Sequence, residues 1–367
     1  MNLYYDYKEV SVEGRYVTLS HLLKKWMPNL PEGSFQEIGT SENGRPIYSV
    51  NMGMGSKKIL MWSQMHGNES TTTKAVLDLV NFLNSDSDVS IKILENCQLT
   101  ILPLLNPDGA ESYTRVNGNS IDLNRDAQNR SQTETRVLWS VFNAVQPDFC
   151  FNLHDQRTFF NVGNTNKEAT VSFLSPASDS ARSLTNSRVQ SMKLIVGMNS
   201  RLQQDIPGQI GRYDDAFNAN CIGDSFQMEK VPTVLFEAGH YPNDYQREET
   251  RRFIFLALLE ALDIISSNKL DDFDVSGYAK IPENRKRFFD VLVKNADVIN
   301  PNIKTGHSIG IRYEEVLKHK TIVFHPKIVE KGMLKDFYGH LELDLINPID
   351  FDSLSKQKEI LDLLIHI

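Results

Sequence analysis

The sequence predicts an α/β fold: a mixed, mostly parallel sheet flanked by helices on both faces, followed by a smaller C-terminal β-containing domain. Two observations carry this. From about residue 57, short apolar runs alternate with longer amphipathic ones, the pattern of strands buried on both faces and joined by crossover helices. The chain also has 367 residues, and single cores stop growing near about 250, so one large unit and one smaller unit are expected.

The elements follow in order. Phe35 to Asn51 holds two strand-like pieces around Glu42-Asn43-Gly44, a hairpin signal. Lys58 to Met65, Gln98 to Leu105, Asp148 to Leu153 and Thr233 to Phe236 are short apolar runs that end in polar or glycine-containing loops, and read as buried strands. Helical patterns lie between and after them at 70–84, 131–145, 178–204 and 246–266. Ser70 is placed as N-cap of the first, and Ser131 with Glu134 forms a capping box for the second. The stretch Ser266 to Gly277 is polar and acidic without helical period, so the chain divides into a catalytic domain, 1–267, and a C-terminal accessory domain, 268–367. The latter holds β-like runs at Thr321 to Phe324 and His340 to Leu345. Its sequence assigns it no role: it caps the active site, forms an oligomer contact or only stabilises. His307, His319, His325 and His340 lack ligand spacing and read as structural or exposed.

A net charge of −8, with no dense Lys/Arg run, argues against nucleic acid as a partner. No apolar stretch reaches the ~18 residues that cross a bilayer, so no membrane partner is expected. The first residues lack the basic and apolar regions of a signal peptide. Cys97, Cys150 and Cys221 form no C-x-x-C pair and read as free thiols. Together these features predict a cytoplasmic protein.

Chemistry gathers at strand ends. His66-Gly67-Asn68-Glu69, Asn106-Pro107-Asp108-Gly109, His154 and Glu237 each follow a predicted strand, the edge where open α/β sheets bind ligands. A histidine and a glutamate three residues apart in a tight turn can face one cation, and a third ligand from a distant strand completes the set. Two histidines and one carboxylate form a common ligand set of catalytic zinc, leaving a position open for water. His66, Glu69 and His154 are therefore the candidate ligands of one Zn2+ per chain.

The ordered motifs extend further. Ser41 to Tyr48 (read loosely as G-x-x-G-R-P-I-Y), His66 to Glu69, Asn106 to Gly109, Thr114-Arg115-Val116-Asn117, Asp122-Leu123-Asn124-Arg125, a strand ending in His154 and Phe236-Glu237-Ala238-Gly239 follow one another. In that order they resemble the zinc carboxypeptidases, the carboxypeptidase A-like metallopeptidases, over roughly residues 35–265. The resemblance implies that Asp122 holds a ligand histidine by its second ring nitrogen. It implies that Asn124 and Arg125 receive a substrate's terminal carboxylate, for which an arginine fork is suited. It places Arg115 at the scissile carbonyl and Glu237 as general base, with Tyr213 and Tyr241 both candidates for a substrate-side tyrosine. The implied substrate is a peptide or acyl amino acid with a free carboxylate. Asp155, beside His154, has either a supporting or a surface role.

The sequence departs from the digestive enzymes at Asn68, where they have an arginine. It also resembles the aspartoacylase and succinylglutamate desuccinylase relatives, which share H-G-N-E, a D-L-N-R-like motif and a C-terminal β-rich addition. These cleave N-acyl amino acids, so a deacylase is the alternative reading. A metal-free binding module on the same scaffold is the third.

Overall fold

Alternation along the central strands divides the protein into two apolar layers. Ile59, Met61, Leu99, Ile101, Phe151 and Leu153 face one cluster, while Leu60, Trp62, Leu102 and Cys150 face another. Successive side chains point to opposite faces of a strand, so a run apolar at every position must be covered on both sides. The computed structural model, which describes residues 3–366, has the sheet that this requires.

Its strands are β1 (Phe35–Thr40), β2 (Pro46–Met52), β3 (Lys57–Ser63), β4 (Cys97–Leu102), β5 (Phe149–Asp155), β6 (Phe160–Val162), β7 (Val171–Leu174), β8 (Ile210–Arg212) and β9 (Thr233–Ala238). Eight of them form one sheet in the order β1-β2-β4-β3-β5-β9-β7-β8, with β6 outside it. The central run β4-β3-β5-β9 is parallel, so β3, β5 and β9 deliver their C-terminal ends to one edge. The β1–β2 hairpin and the β7–β9 pairing are antiparallel.

The helices are α1 (Leu19–His21), α2 (Thr71–Leu83), α3 (Asp88–Asn96), α4 (Pro107–Ser112), α5 (Thr133–Val145), α6 (Asn186–Leu202), α7 (Ile222–Met228), α8 (Glu248–Ser266) and α9 (Ser276–Lys280). The larger cluster takes apolar side chains of α2, α6 and α8; the opposite one takes those of α5 and α7. After α9 come β10 (Asn284–Lys286), β11 (Phe288–Lys294), β12 (Ser308–Lys318), β13 (Thr321–Gly332) and β14 (Tyr338–Asp344), then α10 (Pro348–Ser355) and α11 (Lys358–Ile365). β10 pairs with β6 of the first unit, and β13-β12-β11-β14 form a separate sheet. Tyr278 and Ile281 pack into the larger core, whereas an independent apolar cluster begins at Val291. His340 donates from Nε2 to the Thr158 carbonyl at 2.9 Å and stacks on Phe288, while His319 is exposed.

Three local expectations are corrected. Ser70 stands at the N-cap of α2 as expected, but its hydroxyl makes no capping bond and donates instead to the Arg15 carbonyl at 2.6 Å. The Ser131–Glu134 capping box does not form. Instead Glu42 accepts from the Thr133 amide at 2.6 Å, and Asp126 takes the amides of Ser131 and Gln132. The helix expected from 178 begins at Asn186. Arg182 is left-handed there, and the Arg188 guanidinium collects the carbonyls of Arg182 and Ser183, which holds the preceding segment as a turn.

Between α2 and α8 lies an ion pair of Asp78 and Arg251 with both side chains fully buried. Arg251 Nε donates to Asp78 Oδ2 at 2.6 Å, and its other nitrogens reach the carbonyls of Glu9 and Val12. The N-terminal segment is thereby fastened to the helical layer. Removing one partner of such a pair strands a buried charge, so Asp78→Ala is expected to lower the unfolding free energy by about 3–5 kcal/mol. The urea midpoint at unchanged slope reads this; a loss below about 1 kcal/mol would mean the pair does not hold the interface.

Candidate metal centre and substrate cleft

β3 ends at Ser63, and the chain then turns through Gln64, whose backbone is left-handed at φ 49°. That conformation is uncommon outside glycine. It is held by the Gln64 side chain, which donates to the carbonyls of Val17 and Gly67, both at 2.8 Å. The turn that follows packs directly on the Asn106–Gly109 turn. A Cβ at Gly67 would lie 1.9 Å from the Gly109 carbonyl carbon, so only glycine allows this approach. Asn106 joins the two turns, donating to the Met65 carbonyl at 3.0 Å and accepting from the Gly109 amide at 2.8 Å. Asp108 accepts from the Asn43 amide at 3.0 Å and pairs with Arg45, which docks the β1–β2 turn. These motif residues hold the site in shape.

His66, Glu69 and His154 converge, with one ligand atom from each lying within 4.8 Å of the others. His66 Nδ1 is 2.8 Å from Glu69 Oε1 and 3.1 Å from His154 Nδ1, which is itself 2.9 Å from Glu69 Oε2. Behind His66, its Nε2 meets Asp122 Oδ1 at 3.1 Å. An ionised carboxylate only accepts, so Nε2 carries the hydrogen and the Nδ1 lone pair points at Glu69. Acceptors then crowd one point, a conflict that a proton or a metal cation relieves. The titration tendencies agree. Burial pushes Glu69 up, but His66 and His154 outweigh it and hold it well below the usual carboxylate range. Burial lowers His66, yet Glu69 and Asp122 raise it overall. The donor set of two imidazoles and a carboxylate suits zinc.

A cavity of about 390 Å³ opens over this group, and His66, Glu69, His154, Glu237, Arg115, Asn124, Arg125 and Tyr213 line it, whereas Asp122 stands behind His66. Tyr241 does not line it; its ring packs on Phe253. Glu237 sits at the end of β9 opposite His154 in the parallel register, and its Oε2 is buried without a partner among the described residues. Burial, then the charges of Glu69 and Asp155, raise its carboxyl well above the ordinary range. The Arg115 guanidinium bridges Asp122 Oδ2 at 3.0 Å and Glu69 Oε1 at 3.3 Å. Asn124 Oδ1 accepts from the Ile222 amide at 3.0 Å at the start of α7, which leaves its NH2 as the group free for a ligand. Arg125 is exposed and donates to the Asn124 carbonyl at 2.7 Å. The Tyr213 hydroxyl donates to Gln156 at 2.7 Å.

Several residues at the site escape a reading of the sequence. Gln156 anchors Tyr213 and Asn284 together. Arg247, fully buried, donates to the carbonyls of Ala238, Gly239 and Gln156, tying the ends of β9 and β5. Burial lowers the Arg247 guanidinium to about 10. Asp224, at the cavity wall, is raised to about 6 by burial. None belongs to a motif, and the bonds of Gln156 to Tyr213 and Asn284 and of Arg247 to Gln156 join segments distant in sequence. Asp155, for which a surface role was open, is buried and supports the site. It accepts from the amides of Thr71 and Thr72 at 2.9 and 3.2 Å, capping α2 directly behind Glu69.

Known proteins resemble this chain in sequence and in fold. A family model described as zinc carboxypeptidase matches residues 23–208. A probable carboxypeptidase 2 of Trichophyton verrucosum (strain HKI 0517) is 30% identical over 112 residues, 30% of this chain and 21% of the fungal protein. Carboxypeptidase SOL1 of Arabidopsis thaliana is 35% identical over 136 residues, 32% of this chain and 28% of the plant protein. The match thus spans less than a third of either relative's length. Among solved structures, a metallo-carboxypeptidase from Burkholderia cenocepacia superposes with a TM-score of 0.53 at 18% identity, covering 66% of each chain. Carboxypeptidase A from Helicoverpa armigera gives 0.53 at 16% identity, covering 70% of this chain and 74% of its own. At these identities the two structures establish a shared fold.

Because Asp155 satisfies two buried helix-end amides, Asp155→Ala is expected to destabilise the protein by about 1–3 kcal/mol. Asp155→Asn, which keeps one acceptor oxygen, should recover part of that in a urea titration. Equal stability of Asp155→Ala and the parent would mean that α2 draws nothing from this cap.

Proposed function

Since the chain belongs to the zinc carboxypeptidase family, we propose that it is a zinc-dependent hydrolase that removes C-terminal residues from peptides. The observation that carries this reading is the convergence of His66, Glu69 and His154 beneath a cleft that also contains Glu237, Arg115, Asn124 and Arg125. His66 and His154, through Nδ1, and Glu69 would hold the ion. A bound zinc supplies a Lewis acid that brings the acidity of water towards neutrality.

The chain's own residues do the rest. Glu237 takes the proton of the attacking water and passes it to the leaving amine, a task for which a carboxyl held above the ordinary carboxylate range by burial is a stronger base. Asp122 fixes the ring of His66 and keeps its Nδ1 free. Arg115 leaves its ion pairs to face the carbonyl oxygen as charge develops there. Arg125 and the NH2 of Asn124 receive the terminal carboxylate, and Tyr213 forms part of the wall. The alternative, an N-acyl amino acid deacylase, draws on the four-stranded C-terminal sheet that the deacylase resemblance anticipates. A panel of blocked dipeptides and N-acyl amino acids separates the two.

Elemental analysis should find about one zinc per chain, and a chelator should remove it. His154→Ala should lose the metal, whereas Glu237→Gln should keep it and lose roughly a hundred- to ten-thousand-fold in kcat. Full zinc occupancy in His154→Ala would sink the ligand assignment. Near-normal kcat in Glu237→Gln would move the base elsewhere.

Substrates with a free C-terminal carboxylate should be turned over far better than their amides. Losing a charge-assisted contact of this kind costs about 2–5 kcal/mol, so Arg125→Ala should erase most of the preference. Equal turnover of acid and amide by the parent protein would refute carboxypeptidase action.

A further inference from the structure

The C-terminal sheet sends one carboxylate into the catalytic unit. Glu315, on β12, has a side chain only 9% exposed. Its Oε2 accepts from the Tyr113 hydroxyl at 2.5 Å and from Arg15 Nη2 at 3.2 Å, while Oε1 lies 3.1 Å from the same arginine. Both partners belong to segments that frame the site.

Tyr113 closes α4 in the left-handed conformation, at φ 53° and ψ 47°. A bulky aromatic residue adopts that backbone only when its surroundings impose it. Here the turn is closed by the Thr114 amide donating to Gly109 at 2.8 Å, and the ring is anchored at its far end by Glu315. Two residues later comes Arg115. Its side chain is 44% exposed and held at its far end by Asp122 and Glu69, and the backbone from which it projects sets where its guanidinium can reach once it leaves them. Arg15 acts on the other flank: its carbonyl accepts from Ser70, the residue after Glu69, at 2.6 Å.

We propose that Glu315 is a positioning residue: through Tyr113 it fixes the turn that carries Arg115, so the C-terminal sheet is a working part of the active site. This rests on the role given to Arg115 above. A side chain displaced by as little as 1 Å can cost a hundredfold in rate, so the anchor matters even though Glu315 touches no substrate.

The test uses the full-length zinc-loaded protein and a blocked dipeptide substrate. Tyr113→Phe removes one hydroxyl and leaves the Arg15–Glu315 pair in place, so it tests the link without breaking the interface. Glu315→Gln tests the carboxylate. Each is expected to lower kcat about tenfold or more, with KM within about twofold, zinc content unchanged and faster amide exchange over residues 113–117. On an Arg115→Ala background neither should lower kcat further, because coupled residues are non-additive. Unchanged kcat in Tyr113→Phe, or an equal loss on both backgrounds, would overturn the proposal. If Arg115→Ala alone keeps full kcat, the role of Arg115 fails first and takes this inference with it.

Discussion

Everything at the site depends on bringing three electron-pair donors to one point without letting them escape one another. Two imidazole nitrogens stand 3.1 Å apart, with a carboxylate touching both. Left free, such groups would rotate towards water. Each is therefore backed. Asp122 holds His66, the Asp155 amide donates to Glu69 at 3.1 Å, and β5 holds His154 between β3 and β9. The parallel pairing of β3, β5 and β9 makes the convergence geometric, since strands running the same way end at the same edge.

The strands and the convergent group of His66, Glu69 and His154 are legible in the sequence for the same reason. Apolar runs buried on both faces leave a dense local signal, and the residues that follow them inherit the edge. Helix ends are less legible because their caps come from far away. Asp155 caps α2 from another strand, and Glu42 and Asp126 replace the local box expected of Ser131 and Glu134. The longest strands, β12 and β13, are half exposed and polar. Only a fragment of β13, at Thr321 to Phe324, therefore stands out by apolar content, and β12 leaves no signal. Gln156, Arg247 and Glu315 are silent in the sequence. Their partners lie far along the chain, 91 residues away for Arg247 with Gln156 and 202 for Tyr113 with Glu315.

Buried cations recur in the catalytic unit. Arg15, Arg247, Arg251 and Lys74 are almost wholly enclosed. Such groups are tolerated when most of their donors are met, and here carbonyls and carboxylates of other segments meet them, apart from the Nε of Arg15 and of Arg247, which are buried without a partner among the described residues. Lys74 contacts Glu248 at 2.5 Å and the Gln246 carbonyl at 3.1 Å, with burial drawing it down to about 8. Arginine and lysine thus serve as clamps between elements distant in sequence, and the N-terminal segment, α2, α8 and β12 are joined by charge as well as by apolar packing.

The cap on α2 has an electrostatic consequence. The N-terminus of a helix carries a partial positive charge and readily attracts anions. In this protein that end lies directly behind Glu69, but the Asp155 carboxylate already occupies it. The helix dipole is thereby quenched from within, and an incoming anion gains nothing from it. The positive groups that line the cavity are the guanidinium groups of Arg115, Arg125 and Arg157. Positive charge at this cavity therefore comes from part-exposed side chains and not from the end of a helix.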